Sequence, residues 1–397
     1  MRPGALEGLT VLDLATFVAA PVSATLLGEF GAEVIKVEQP GAGDDLRRLG
    51  RQADGISLWW LTEARNKKSI TCNLRHPDGQ ALLRRLAGEA DILTENFRPG
   101  TLERWGLDPA TLQAENPGLI VVRISAFGQT GPLRERPGFG RIAAAVGGIA
   151  YLSGYPDRAP VTPGTPTIPD YLAGVMGAPG ALIALQHRRR TGEGQVVDLA
   201  LYEPILRMLD DAIPVYGAFG YVRERIGSMA ESAVPHNHYR TRDGKWIAVA
   251  CTNDRMFARL AEAMGQAELV ARYPTMPDRL AHREAVDEVV AGWVARLDTQ
   301  AALARLDAAE VPASGVYSVK DLFEDAQVKA RENIVAVEEP GLGVIHMPGV
   351  VPKLSRTPGR IRHPGPRRVG EHNEEIYLGR LGLPRAEFDR LRAEGVI

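Results

Sequence analysis

Asp170 sits in a setting that suggests chemistry: it follows Pro169 at the head of a long run of helix-forming residues. A carboxylate there meets free backbone N–H groups and the positive end of a helix dipole, which favour its ionised form at neutral pH. An ionised carboxylate can attack a carbonyl and form an acyl-enzyme. An aspartate at a helix start is equally an ordinary N-cap, and position alone leaves both readings open. His236 and His238 share one face of a strand-like segment and would make two metal ligands. No third histidine or carboxylate stands at ligand spacing, so no metal ligand is assigned. Cys72 and Cys251 form no catalytic motif with a histidine, and no serine lies in a G-x-S-x-G turn. Asn66, Lys67, Lys68, Arg75 and Arg104 fall beside predicted strands and turns, where basic side chains either hold phosphates or meet solvent.

The elements that must position these residues follow from the pattern of apolar runs. Residues 10–15 read as a buried strand. Pro21 opens a helical run that Gly31 stops, and 32–38 is the next strand. This β-α-β unit predicts a parallel sheet. A helix over 79–87 and strands over 91–94 and 119–125 continue the alternation. A long helix over 171–189 is rich in Ala and Gly, which permits close approach of another backbone or a ligand. Pro179 within it predicts a kink or a division. A strand over 196–201 and a helix over 202–213, ended by Pro214, complete an open sheet of Rossmann type. A hairpin follows over 239–250 with Asp243-Gly244 at its turn. Helices over 254–307 and a return strand over 311–317 come next. The chain thus divides into a large domain over 1–220, a smaller α+β domain over 221–330, and a connector with a C-terminal segment over 331–397. The Pro-, Gly- and Arg-rich stretch 356–366 reads as extended, and 373–391 as two short helices broken at Gly382 and Pro384.

Composition excludes several classes. Of the 397 residues, 45% are hydrophobic and 24% charged, the range of a globular protein. A formal net charge of −2 gives no bias toward nucleic acid, although 188–190 and 356–368 are locally basic and read as solvated. There is no run of eighteen apolar residues, so no membrane span is expected. The first residues reach Glu7 before any long apolar run and do not read as a secretory signal. Two cysteines make no disulfide framework, which fits a reducing, cytoplasmic setting. The first strand is followed by Thr16-Phe-Val-Ala-Ala-Pro21 rather than G-x-G-x-x-G, which argues against an NAD enzyme. No P-loop motif occurs either.

Taken together, these segments resemble the class III CoA-transferase family, also called the formyl-CoA transferase or carnitine CoA-transferase family. The resemblance runs through Leu6-Glu-Gly-Leu-Thr-Val-Leu-Asp-Leu, Gly31-Ala-Glu-Val-Ile-Lys-Val-Glu, Gly41-Ala-Gly-Asp44 and Asn66-Lys-Lys-Ser-Ile70. It continues in Glu95-Asn-Phe-Arg-Pro-Gly100, Ser125-Ala-Phe-Gly-Gln-Thr-Gly-Pro132, Arg190-Thr-Gly-Glu-Gly-Gln195 and the closing Gly370-Glu-His372. It implies a Rossmann-like large domain built from both chain ends, a small domain between them, and two chains interlocked as a homodimer. It implies transfer of CoA from an acyl-CoA thioester to a carboxylic acid through a covalent intermediate on Asp170. Coenzyme A is then a substrate, with no permanently bound cofactor and no metal. By position it also implies CoA contacts from Val18, Ala19, Cys72, Asn73, Leu74, Arg75, Asn96, Phe97, Arg98 and Arg104. Acceptors in the family include formate, oxalate, carnitine and dicarboxylates such as succinate, malate, glutarate and mesaconate. Arg47, Arg141, His236 and His238 are candidates by location for the second charge of a dicarboxylate.

The chain departs from formyl-CoA transferases at Val18 and Gln39, and it lacks their run of glycines in the small domain, which speaks against formate and oxalate. Gly140 stands where many members carry an acidic residue. An acyl-CoA racemase of the same superfamily is the nearest alternative, but the histidine of its Gly-His-Asp motif is replaced in Gly138-Phe139-Gly140. Phenylalanine transfers no proton. A non-catalytic CoA-binding protein is a further alternative, against which the intact Asp170 argues.

Overall fold

The computed structural model describes residues 3–397; Met1 and Arg2, where the leader reading begins, lie outside the described residues. Six parallel strands carry the first of two compact units: β1 (Thr10–Asp13), β2 (Glu33–Glu38), β3 (Lys67–Thr71), β4 (Ile92–Glu95), β5 (Ile120–Ser125) and β6 (Val196–Ala200). Their spatial order is β3-β2-β1-β4-β5-β6, so the direction of strand addition reverses between β1 and β4. Crevices at such a switch point, beyond the carboxyl ends of the strands, are where open α/β sheets bind ligands. β1, β4 and β5 are buried along their whole length, as expected for a parallel sheet covered on both faces.

The helix after β1, α1 (Ala19–Glu29), begins two residues before Pro21. The helix α2 (Pro77–Gly88) sits between β3 and β4, and α3 (Gly140–Val146) follows β5. The long helix α4 (Ile168–Thr191) starts earlier than the sequence suggests and runs unbroken through Pro179. Its small residues serve close packing on α1. A side chain at Gly174 would come within 2.7 Å of the Ala19 carbonyl oxygen and of Val22 Cβ. The Ser23 hydroxyl donates to the Gly174 carbonyl at 2.8 Å across the same contact. Helix α4 is also the one helix among the described residues long and apolar enough to cross a membrane, yet its small-residue face is buried in this packing.

Strand β3 was not legible in the sequence, because Lys67 and Lys68 suggest solvent. Lys67 is instead fully buried, 2.8 Å from Asp13 Oδ2. The stretch 356–368, read as solvated, keeps Arg356, Arg360, Arg362 and Arg368 exposed and also packs within the first unit. Asn66 donates to the Arg360 carbonyl and accepts from the Arg362 N–H, both at 2.7 Å. Arg362 reaches the Gly28 and Ala32 carbonyls at the carboxyl end of α1, where a cation satisfies unpaired oxygens. A seven-residue wide-turn helix, Glu374–Arg380, and the helix Arg385–Ala393 then return to the core, where Tyr377, Phe388 and Leu391 pack beside Leu12 and Ile35.

The first unit comprises 1–150, 162–220 and 330–397; the second comprises 151–161 and 221–329. Residues 151–161 thus belong with the second unit rather than with the domain expected over 1–220. In the second unit β7 (His236–Arg240) and β8 (Trp246–Ala250) form the antiparallel hairpin around Asp243-Gly244, and β9 (Ala313–Gly315) pairs with β8. Its helices bury Phe257, Leu260, Val290, Trp293 and Leu306 against that sheet. Two further differences from the sequence reading concern turns. Pro214 lies in the first turn of a helix, Ala212–Phe219, rather than ending one, a position where proline costs no hydrogen bond. An antiparallel hairpin, Ile334–Glu339 with Gly343–Pro348, occupies the segment read as connector.

Candidate active site

A cleft of about 210 Å³ opens at the switch point. Thr16 and Phe17 reach it from the end of β1, Asn96 to Pro99 from β4, Ser125 and Ala126 from β5, and Leu201 from β6. Helix α4 supplies Asp170 to the same cleft, and the loop before α3 supplies Arg134, Arg136, Gly138 and Phe139.

Asp170 is not the N-cap. Thr167 holds that position, Pro169 fits the first turn, and Asp170 is the third helical residue. Its neighbour Tyr171 anchors the helix start, donating to Glu63 at 3.0 Å and accepting from Trp59 Nε1 at 2.8 Å. Among the described residues no lysine, arginine or histidine pairs with the Asp170 carboxylate. Burial therefore pushes its pKa from the ordinary 3.8 up to about 6, opposed only by its own backbone N–H. The sequence reading, in which the helix start holds the carboxylate in its ionised form, omitted this desolvation. At pH 7 the group is still mostly ionised, but it carries a charge that the protein does little to stabilise, a condition that suits a nucleophile. Gly140 faces it directly: a Cβ at position 140 would overlap Oδ2 and lie 3.2 Å from Cγ.

The turn after β1 is unusual. Phe17 has φ +64°, a left-handed conformation that costs a bulky residue on the order of 1–3 kcal/mol. Asn96 holds the preceding residue from both sides, accepting from Thr16 N–H at 2.8 Å and donating to its carbonyl at 2.7 Å. Asp44 accepts from Phe17 N–H at 3.1 Å.

A second cleft of about 290 Å³ shares Thr16 and Phe97 with the first and extends beyond β2 and β3. Gln39, Arg48, Cys72, Leu74, Arg75, Phe97 and Trp105 line it. Phe97 and Trp105 meet edge to face at 5.3 Å. The Phe97 turn is braced by Glu95, which accepts from Phe97 N–H at 2.6 Å and pairs with buried Arg123 at 2.5 Å. Exposed guanidiniums thus border both clefts, Arg75 in one and Arg98, Arg134 and Arg136 in the other, while Arg48, also exposed beside Arg75, pairs with Asp45 and donates to the Ala42 carbonyl at 2.6 Å. This is a charge distribution that suits a polyphosphate ligand.

Of the residues carried over by resemblance, the structure places Ala19, Asn96, Phe97 and Arg98 beside Asp170, and Cys72, Leu74 and Arg75 in the adjoining cleft. Val18, Asn73 and Arg104 line neither. Val18 packs in the core, Asn73 caps Arg75 N–H at 3.2 Å, and Arg104 binds Thr101 at 2.9 Å. The Cys72 thiol donates to the Gly79 carbonyl, and burial pushes its pKa up to about 12, so it serves as wall and not as a thiolate. Lys67 and Lys68 hold no phosphate: the first pairs with Asp13, the second with Glu33 and Glu375. Arg47 is likewise unavailable to a substrate, being bound to Glu38 at 2.7 Å and stacked on Trp60 at 3.9 Å. Arg141 donates to Thr162 at 3.2 Å, and His236 and His238 pair within β7 with Ala250 and Ala248 of β8. Sequence reasoning did not single out Phe17, Phe139, Arg48, Arg134 or Arg136 as lining residues.

A doubly wound sheet with this crevice and this sequence belongs to CoA-transferase family III, whose description fits residues 6–373. The chain is a CoA-transferase. It is 50% identical to the succinyl-CoA–L-malate CoA-transferase beta subunit of Chloroflexus aurantiacus, over 99% of this chain and 98% of that one. It is 46% identical to the succinyl-CoA–D-citramalate CoA-transferase of the same organism, over 100% and 98% of the two chains. A CAIB/BAIF family protein from Brucella suis, known by its crystal structure, matches with a TM-score of 0.83 and 33% identity over 98% of this chain and 100% of that one.

Proposed function

We propose that this enzyme takes CoA from succinyl-CoA and passes it to a short dicarboxylic acid through covalent adducts on Asp170. The observation that carries the reading is Asp170 itself, a half-buried carboxylate without a cationic partner at the switch-point cleft, with its pKa raised to about 6. The relatives named for L-malate and D-citramalate support the substrate class.

Each step balances without a cofactor. A carboxylate oxygen of Asp170 bonds to the thioester carbon, the C–S bond breaks, and an acyl-aspartyl anhydride and CoA thiolate result. The thiolate attacks the aspartyl carbonyl, which releases succinate and leaves an aspartyl-CoA thioester. The acceptor carboxylate attacks that carbonyl and expels the thiolate again. The thiolate then takes the acceptor acyl carbon, and the Asp170 carboxylate is regenerated. In the first turn of α4 Pro169 has no N–H and the N–H groups of Ile168 and Tyr171 are taken by the Thr165 and Thr167 carbonyls, so the Asp170 N–H, which lies against its own carboxylate, is the donor left for an oxyanion. CoA extends from Asp170 past Phe97 into the second cleft, where Arg48 and Arg75 meet its phosphates. Val18, Asn73 and Arg104, outside both clefts, are left as contacts by resemblance only.

The assembly proposed is the interlocked homodimer. Ile183 of α4 and Phe219 of the helix Ala212–Phe219 are 69% and 80% exposed, apolar surface of the kind that a partner chain covers. Light scattering at twice 43.0 kDa is the expected result. A cytoplasmic location is proposed on the two buried free thiols.

The deciding experiment is intact-mass spectrometry with succinyl-CoA, beside Asp170→Ala, followed by a scan of acceptor acids. An adduct that the variant lacks is expected. Exchange of the α-proton of an acyl-CoA with no CoA transfer to any acid would replace this reading with a racemase.

A further inference from the structure

Phe17 raises a question that the transfer chemistry does not answer: why a bulky side chain occupies a left-handed position beside the nucleophile. Such outliers persist only where the surroundings over-determine them. Here three hydrogen bonds from two side chains do so. Asn96 grips Thr16 by both its N–H and its carbonyl, and Asp44 holds Phe17 N–H. Asp44 is fixed in turn. Its Oδ2 lies 2.8 Å from the Lys36 ammonium, with both side chains buried, and its N–H donates to Glu38 at 2.9 Å.

The consequence of the turn is the direction of the ring. Phe17 meets Phe139 edge to face, with centroids 6.0 Å apart and planes at 78°. Phe139 directly precedes Gly140, where a Cβ would overlap the Asp170 carboxylate. Both rings line the cleft that holds Asp170, with Ala19, Ile124 and Leu201. Neither ring offers a group that would orient or deprotonate a water molecule.

We infer that Phe17 and Phe139 form an aromatic screen that keeps water from the covalent adducts on Asp170, and that Asn96 and Asp44 are positioning residues for that screen. The inference rests on the Asp170 reading above. Anhydride and thioester adducts both react with water. For the thioester, the water oxygen bonds to the aspartyl carbonyl carbon and the C–S bond breaks. CoA leaves as the thiol with one proton, and the carboxylate returns as the second proton is released. A transferase that admits water therefore becomes a thioesterase, and exclusion of water by the site prevents this side reaction.

The test uses the full-length enzyme with succinyl-CoA, with and without L-malate, and follows free thiol and malyl-CoA together. Phe139→Ala removes a ring that is 67% exposed, so the fold is not at risk. The ratio of hydrolysis to transfer is expected to rise at least tenfold in Phe139→Ala, Phe17→Ala and Asn96→Ala, and to return toward the wild-type value in Phe17→Leu. A loss of fold alone would lower both rates together and leave the ratio unmoved. Transfer with an unchanged ratio in Phe139→Ala and Phe17→Ala would overturn the screen; should Phe17→Ala not fold, Phe139→Ala decides by itself. Wild-type enzyme that carries no adduct on Asp170 would instead remove the nucleophile on which the screen rests, and the mass spectrum separates that failure from this one.

Discussion

The carboxylate of Asp170 occupies the space that a side chain at Gly140 would need: a Cβ there would overlap Oδ2, lie 3.2 Å from Cγ and lie 2.5 Å from the Pro166 carbonyl oxygen. Gly140 opens helix α3, has no unusual backbone angle to explain it, and so is small because of its neighbour. Gly140→Ala would force the carboxylate to rotate or α3 to shift. Displacement of a reacting group by about 1 Å costs on the order of 100-fold in rate. A fall of roughly 10- to 100-fold in kcat, with little change in the KM for succinyl-CoA, is expected from steady-state kinetics. A variant with wild-type kcat would show that Asp170 is not held in this place during reaction.

The raised pKa of Asp170 sets an acid limit on activity. Only the ionised carboxylate attacks, and its pKa stands at about 6. The rate constant kcat/KM should be level above pH 7 and should fall tenfold per pH unit below about 6. A profile level down to pH 4.5 would mean that a cation reaches the carboxylate in the working enzyme and returns its pKa to the ordinary range.

The same burial has a consequence for stability, with a definite sign. The folded-state pKa lies above the ordinary 3.8. Between 3.8 and about 6 the native state therefore binds more protons than the unfolded chain, so stability falls as pH rises through that window, and the deficit persists above it. A rise from 3.8 to about 6 corresponds to about 3 kcal/mol, reduced by the partial exposure of the group. Asp170→Asn removes the half-buried charge. The variant should be inactive yet more stable than wild type, by about 1–3 kcal/mol at pH 7.5 and by nearly nothing at pH 4, as measured by urea unfolding. Equal stabilities at both pH values would sink the desolvation account.

How much of this was legible in the sequence depends on whether a residue's role is local. The alternation of apolar runs revealed the parallel sheet, and the setting of Asp170 at a helix start directed attention to it. Phe17 gave no signal, because a left-handed backbone angle is imposed by Asn96, which lies 80 residues from the Thr16 it grips, and by Asp44, 27 residues from Phe17. Lys67 misled for the same reason. A lysine in a short polar run suggests solvent until the topology places it against Asp13, 54 residues distant. Arg47 suggested a substrate cation and is engaged by Glu38 and the 366–367 carbonyls. The exposed Arg75 faces the cleft, beside Arg48, which Asp45 and the Ala42 carbonyl engage at the surface.

Those two arginines make a separable prediction. A hydrogen bond between charged groups contributes about 1.5–3 kcal/mol. If Arg48 and Arg75 hold the CoA phosphates, each alanine variant should raise the KM for succinyl-CoA at least tenfold while kcat stays within about twofold, since uniform binding is lost without change at the reacting atoms. Loss of kcat with unchanged KM would place the nucleotide elsewhere.

Beneath both clefts lies a buried charge cluster whose balance can be tested by removing one member. Lys67 lies 2.8 Å from Asp13 Oδ2, and Lys36 lies 3.7 Å from the same oxygen and 2.8 Å from Asp44. Asp13 is completely buried, and burial alone would push its pKa up; Lys36 and Lys67 outweigh that effect and hold it below the ordinary range. Lys67→Met keeps most of the side-chain volume and removes one charge. Asp13 and Asp44 then share Lys36 alone. Breaking a buried pair in this way costs about 3–5 kcal/mol, because the remaining charge is left uncompensated. The midpoint of urea unfolding should fall accordingly at pH 7.5. The loss should shrink in Asp13→Asn/Lys67→Met, where the stranded anion is also removed, and this recovery separates lost charge balance from lost packing. Additive losses in the double variant would show that Lys67 stabilises the strand by packing and not by its charge.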